Sequence, residues 1–157
     1  MKLRIIAAGT RMPAWVTEGA RDYARRLPRE YGLDIVEIPL ASPKRGAARA
    51  LQEEGRRMLA ALGERDRVIA LAIEGQLSST AELARRLGRW QQAGRDVAFL
   101  IGGPEGLAPE CLERAEQRWS LSPLTFPHAL VRVLLVEQLY RAWTVLAGHP
   151  YHREGQS

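Results

Sequence analysis

The segment Asp96-Val97-Ala98-Phe99-Leu100-Ile101-Gly102-Gly103-Pro104-Glu105-Gly106 joins a short apolar run to an abrupt glycine-rich turn. The run has no polar face, which suits a strand covered on both sides of a sheet. The turn starts at once, because two adjacent glycines and a proline continue neither a strand nor a helix. A strand covered on both faces needs helices above and below it, so the flanking chain is expected to alternate between β and α patterns.

It does so in both directions. Upstream, residues 3–8, 34–38 and 67–73 read as strands. Residues 14–29 read as a helix broken by Pro28, and residues 49–62 as another. Between them, residues 41–48 hold Ser42, Pro43, Lys44, Arg45 and Gly46 and have loop composition. Ser79 or Thr80 caps a helix running to about Gln92. Downstream, residues 109–117 are helical with Pro109 at the first position, residues 118–121 form a short fifth strand, and residues 129–146 form the last and longest helix. Strands alternating with helices predict an α/β domain with a mostly parallel sheet and helices on both faces. No internal repeat and no linker interrupts residues 1–157, so a single domain is expected.

Composition narrows the class. Of 157 residues, 46% are hydrophobic and 26% charged, enough apolar surface for a core and too little charge for wholesale disorder. The net charge is +5, and residues 1–68 carry all of that surplus, with 14 Lys or Arg against 9 Asp or Glu. Only Lys2 and Lys44 are lysines. Arginine forks suit phosphate, and a GC-rich genome that encodes its cations as arginine accounts for the same bias. The single Cys111 excludes an intrachain disulfide and a multi-cysteine zinc site, so no metal is expected. The N-terminus has too short an apolar stretch for a signal peptide, and Arg132, Glu137 and Arg141 interrupt the only long apolar helix. A soluble cytoplasmic protein with no membrane partner is the expectation.

Ligands of parallel sheets bind beyond the carboxyl ends of the strands. That rule selects residues 9–13, 74–79, 102–107 and 122–128. Gly102-Gly103 allows close backbone approach to a ligand, or makes a tight strand-to-helix turn; it matches neither a dinucleotide fingerprint nor a P-loop. Leu121-Ser122-Pro123-Leu124-Thr125-Phe126-Pro127-His128 is too apolar for a solvated turn, and its prolines keep it out of helix and central strand. It either offers backbone groups to a flat heterocycle or caps the core.

On residues 129–146, Glu137, Arg141 and Thr144 share one stripe with Gln138 beside it, while Arg132 lies about 140° from Glu137 among apolar neighbours. The apolar arc is split, which suggests burial against the sheet and against a second molecule, with an anion for Arg132 near that interface. Otherwise Arg132 snorkels out at an edge. The tail His149-Pro150-Tyr151-His152-Arg153 groups proton-exchanging side chains with a phosphate-binding one, or is a frayed polar end.

In order and spacing, Ile101-Gly102-Gly103-Pro104-Glu105-Gly106-Leu107, Leu121-Ser122, Thr125-Phe126-Pro127-His128, Val131-Arg132, Glu137-Gln138-Leu139-Tyr140-Arg141-Ala142 and Tyr151-His152-Arg153 resemble the ribosomal RNA large subunit methyltransferase H family. Met1-Lys2-Leu3, Gly9-Thr10 and Lys44-Arg45-Gly46 resemble it too, so the likeness spans the chain. Residues 155–157 extend past the family's usual ending.

The resemblance implies a SPOUT-class α/β fold with a C-terminal trefoil knot, which overrides the general expectation of unthreaded chains. It implies a homodimer that uses S-adenosylmethionine to methylate N3 of a pseudouridine in 23S rRNA on the ribosome. Carried over by position, the cofactor site is Leu71, Gly102, Gly103, Leu121, Ser122, Pro123, Leu124, Thr125 and Phe126. The catalytic candidates are His128 and Arg132 for orientation, Arg153 for anion contact, and His152 or Tyr151 for proton handling. Arg21, Arg25, Arg26, Arg29, Lys44 and Arg45 then read as an RNA-facing surface, or as a solvated helix face and loop. Two other classes remain in view. An RNA-binding protein without catalysis explains the charge but not the two strand-end loops. A nucleotide-dependent oxidoreductase explains the α/β pattern but needs a glycine-rich phosphate loop after the first strand, where Gly9 stands alone.

Overall fold

The apolar runs become strands that pair in parallel, because each is separated from the next by a segment long enough to cross back over the sheet. The computed structural model describes residues 1–153; the extension at 155–157 lies outside that range. Strands β1 (Leu3–Ala8), β2 (Asp34–Ile38), β3 (Arg67–Leu77), β4 (Val97–Ile101) and β5 (Gln117–Ser120) form one sheet in the order β2-β1-β4-β3-β5, with every pairing parallel. The most apolar strand, β4, is the central strand of the sheet and is buried along its whole length. The edge strands β2 and β5 carry the exposed Asp34, Glu37, Gln117 and Arg118.

Helices α1 (Ala14–Arg26), α3 (Thr80–Ala93) and α5 (His128–Leu146) cover one face, and α2 (Ala47–Ala60) and α4 (Pro109–Arg114) the other. Alternation along β1 feeds both layers: Leu3, Ile5 and Ala7 enter the core under α1, α3 and α5, while Ile6 and Ala8 face α2 and α4. In the larger core Trp90 stacks on Trp119 at 5.8 Å, and both rings tilt against Phe99. Such pairs contribute about 0.5–1.5 kcal/mol each beyond their buried area. No helix among the described residues is long and apolar enough to cross a membrane.

Several boundaries differ from the sequence expectation. Helix α1 stops at Arg26, because Pro28 forces Leu27 into extended backbone, and Arg29–Tyr31 then form a separate 3-10 turn. Residues 43–45 are also a 3-10 turn, capped by the Ser42 hydroxyl, and α2 starts at Ala47. Helix α4 ends at Arg114 because Glu116 N–H joins Val68 O at 2.8 Å, and sheet pairing outcompetes further helix. β3 runs on to Leu77 through a register break between Leu71 and Gln76. Gly75 passes so close to the Trp119 backbone that a side chain there has no room.

Candidate active site

Three strand ends and two loops enclose a cavity of about 650 Å³. Leu71, Gly102, Gly103, Leu121, Ser122, Leu124, Thr125 and Phe126 lie on its wall; Pro123 belongs to the same loop but not to the wall. The register break in β3 swings Ala72, Ile73 and Glu74 into this wall, and Glu105 adds a second carboxylate.

The glycine loop is both a tight turn and a wall. Gly106 N–H closes on Gly103 O at 3.0 Å, with Gly106 at φ +80°. A Cβ on Gly102 would collide with the Gly106 carbonyl carbon, so only glycine lets the loop fold back on itself. The opposite loop is held by its own serines. Ser120 Oγ donates to Ser122 O at 2.9 Å, and Ser122 Oγ accepts from Leu124 N–H at 2.9 Å. Apolar walls with backbone polar groups and two carboxylates suit a flat heterocycle joined to a positively charged group.

His128 opens α5 and reaches the cavity wall. Its Nδ1 is buried without a partner. Burial, and then the nearby Arg132 cation, hold its pKa below the ordinary value of 6.5, so the imidazole is neutral near pH 7.

Arg132, one turn further on, is 2% exposed and does not reach this cavity. It pairs with Glu37 of the same chain, and it does not snorkel out. Nη1 donates to Glu37 Oε2 at 2.6 Å, and Nη2 donates to Ala8 O at 3.1 Å and Gly9 O at 2.7 Å. The guanidinium thereby ties the start of α5 to the ends of β1 and β2. It also forms part of a second cavity of about 300 Å³ between α1 and β2.

The tail packs elsewhere. Tyr151 O–H donates to Glu137 Oε1 at 3.2 Å, its ring sits edge-on to Tyr140 at 4.7 Å, and the Arg141 guanidinium covers it at 4.7 Å. Arg141 pairs with Glu137 at 2.6 Å, and its Nη1 lies 3.4 Å from His152 Nδ1, which accepts because a guanidinium only donates. Thr144 Oγ1 donates to Arg141 O at 2.6 Å, so the stripe read from the helical wheel is a real network. Burial, with help from Tyr23 and the Glu137 carboxylate, pushes the Tyr151 hydroxyl up to about 12. Arg153 is exposed. This cluster lies about 14–20 Å along α5 from His128, given the rise of 1.5 Å per residue. The structure thus gathers the expected cofactor residues and His128 in one place, and Tyr151 and His152 in another.

The basic row is also divided. Arg25 and Arg26 both pair with Asp22, and Arg26 covers Tyr23 and Tyr140. Arg29 leaves the helix, while Lys44 and Arg45 project from their exposed turn. Sequence reading missed Glu37, whose partner lies 95 residues away, and gave no role to Glu74 or Glu105 within loops it had selected.

Comparison with known proteins agrees with this geometry. The model of the family described as predicted SPOUT methyltransferase matches residues 1–152. Ribosomal RNA large subunit methyltransferase H of Chromohalobacter salexigens is 62% identical over 157 residues, covering 98% of this chain and 100% of its own length. The protein of that name from Pseudomonas fluorescens is 57% identical over 155 residues, at 98% and 100% coverage. Among solved structures, a probable methyltransferase from Bordetella pertussis aligns with a TM-score of 0.59 at 17% identity, over 90% of this chain and 93% of that one. A probable methylase family protein from Haemophilus influenzae aligns at 0.56 and 15% identity, over 99% of this chain and 72% of the other. At such identities these neighbours establish the shared fold alone. The strand-end cavity, the parallel sheet and the near-complete match to these relatives together show that the chain belongs to the SPOUT methyltransferase family, in the group of the ribosomal RNA large subunit methyltransferases H.

Proposed function

We propose that this enzyme transfers a methyl group from S-adenosylmethionine to N3 of a pseudouridine in 23S rRNA, on the assembled ribosome and as a homodimer. The observation that carries the reading is the full-length likeness to relatives named for large-subunit ribosomal RNA methylation. The same reading includes one domain over residues 1–157, a C-terminal trefoil knot and a cytoplasmic place of action.

The cavity fits the cofactor class. Leu71, Leu121 and Phe126 provide apolar walls for adenine, and Ser122, Leu124 and Thr125 of the adjoining loop supply polar edges. Glu74 and Glu105 are the acidic groups on the wall and complement a positively charged ligand. S-adenosylmethionine, when bound, supplies an already activated methyl group. The chain must align the nucleophile, which can account for much of the rate, and accept the imide proton.

His128 stands on the wall as a neutral orienting group, and Arg132 acts through it and the Gly9 turn. Tyr151 would have to give up a proton held up to about 12 before it could act as a base, so His152 is the better proton acceptor once its Nδ1 leaves the Arg141 guanidinium. Arg153 contacts phosphate. The tail lies too far along its own α5 to serve its own cavity, which favours a site completed by a second copy.

The test maps methyl transfer on ribosomes lacking their own copy of this modification. Methylation at N3 of one 23S pseudouridine is expected, and transfer to another atom or to no rRNA overturns the reading. An unchanged single-turnover rate for His152→Ala removes that residue from the chemistry.

A further inference from the structure

Among the described residues, Arg11 is the one non-glycine residue with a left-handed backbone, at φ +57° in the turn between β1 and α1. A Cβ is crowded in that conformation, so glycine or asparagine would suit the turn better. Strain of this kind persists where the surroundings fix the backbone, and it gathers at functional sites. Here Gly9 N–H donates to Ile38 O at 2.7 Å, and Gly9 O accepts from Arg132 Nη2 at 2.7 Å. The Arg11 side chain is exposed and makes no ion pair among the described residues.

The turn lies at the carboxyl end of the sheet, beside the larger cavity. A Cβ on Gly9 would lie 3.9 Å from His128 Cε1, and one on Gly103 would lie 3.0 Å from Leu40 Cδ2. His128 and Gly103 both belong to the cavity wall. Arg11 is two residues from Gly9, at most about 7 Å of chain. Leu40 belongs to the loop that leads into the exposed turn of Lys44 and Arg45, which are also without an ion pair among the described residues. Carboxylates of the adjoining elements are already engaged. Glu54 Oε2 accepts from Ala41 N–H at 3.0 Å, Glu53 pairs with Arg57 at 2.8 Å, and Glu37 pairs with Arg132 at 2.6 Å. Arg57 also donates to Pro39 O at 2.9 Å, so these contacts brace the loop.

We propose that Arg11 binds phosphate at the mouth of the cofactor cavity and, with Lys44 and Arg45, holds the RNA backbone that flanks the target nucleotide. The proposal deepens the rRNA reading above and rests on it. A nucleotide presented to the cavity carries phosphates on both sides, so its backbone must cross the rim. A guanidinium there makes a forked, charge-assisted contact to phosphate. A fixed turn lowers the ordering cost of that contact. Because β1 and β2 are parallel neighbours, the segments that follow them leave the same end of the sheet and bring the three cations to it. The turn keeps a strained arginine whose charge only an external anion can use.

The experiment uses the full-length enzyme on ribosomes lacking the modification. Arg11→Asn removes the charge and fits the left-handed backbone, so its melting temperature is expected to equal or exceed that of the wild type. The KM for ribosomes should rise about fivefold, and the salt slope of ribosome binding should fall by about one unit. The kcat stays within about twofold, and calorimetry shows unchanged affinity for S-adenosylmethionine. Arg11→Gly, equally at home in that backbone, gives the same readouts. Arg11→Lys keeps the charge and most of the wild-type KM, and Lys44→Ala with Arg45→Ala lowers the slope by about two units. A wild-type enzyme that methylates normally beside folded Arg11 variants with unchanged KM and slope overturns the phosphate contact and leaves the rRNA reading intact. Weakened S-adenosylmethionine binding assigns Arg11 to the cofactor wall, dissociation in sedimentation assigns it to a contact between copies, and loss of the fold in both variants makes it structural; each of these overturns the proposal. A wild-type enzyme that fails on ribosomes strikes the rRNA reading itself.

Discussion

The buried Arg132 ties the start of α5 to the ends of β1 and β2, so its removal has a calculable cost. In Arg132→Met the cavity beside it admits water, but Ala8 O and Gly9 O lose their donor, and the Glu37 bond is lost. At about 1–3 kcal/mol for each buried acceptor, softened by water entry, the expected loss is about 3 kcal/mol. Glu37→Ala leaves a buried guanidinium with two carbonyls only. Removing one partner of a fully buried pair costs about 3–5 kcal/mol, but the Glu37 side chain is 40% exposed. Solvent screening reduces the loss to about 2 kcal/mol. In the double variant no buried guanidinium is left without its carboxylate, so the total is about 3 rather than 5 kcal/mol, a coupling near 2 kcal/mol. The assay is urea unfolding followed by tryptophan fluorescence at one fixed protein concentration, since oligomerisation makes stability concentration-dependent. Losses that add to within about 0.5 kcal/mol would refute the clamp.

Three further outcomes follow from particular contacts. The folded state holds the His128 proton less tightly than the unfolded chain, so its contribution to stability is complete above pH 6.5 and is lost as pH falls through the lowered folded value. His128→Asn should therefore flatten the acid side of the stability profile, and an unchanged profile contradicts the shift. Gly102→Ala forces the 102–106 turn open, and calorimetry should show at least a tenfold loss of S-adenosylmethionine affinity. Gly55→Ala places a Cβ 2.6 Å from Ala108 Cβ. Overpacking of about 1–3 kcal/mol exceeds the helix gain of about 1 kcal/mol, and thermal unfolding should show that adding Ala108→Gly restores most of the loss.

The site was legible where chemistry is local. Gly102 and Gly103 were readable because a glycine pair after an apolar strand has few structural uses, and Phe126 because an apolar loop between prolines is unusual. Glu74 was hidden because Glu-Gly-Gln reads as loop, whereas β3 continues past it once Gly75 lets two backbones touch. The separation of Tyr151 and His152 from His128 was hidden too, since it depends on where the tail folds back along α5.

By itself the sequence determined the parallel α/β layering, since period-two and period-3.6 burial patterns are set by residues a few places apart. It also determined the family likeness and the loops that wall the larger cavity. Only the tertiary structure decided what neutralises Arg132, because Glu37 meets it through strand order and helix packing across 95 residues. The same packing opened the second cavity between α1 and β2. A charged side chain advertises its need for a partner in the sequence, but the partner is chosen by distance in three dimensions, which no local pattern encodes.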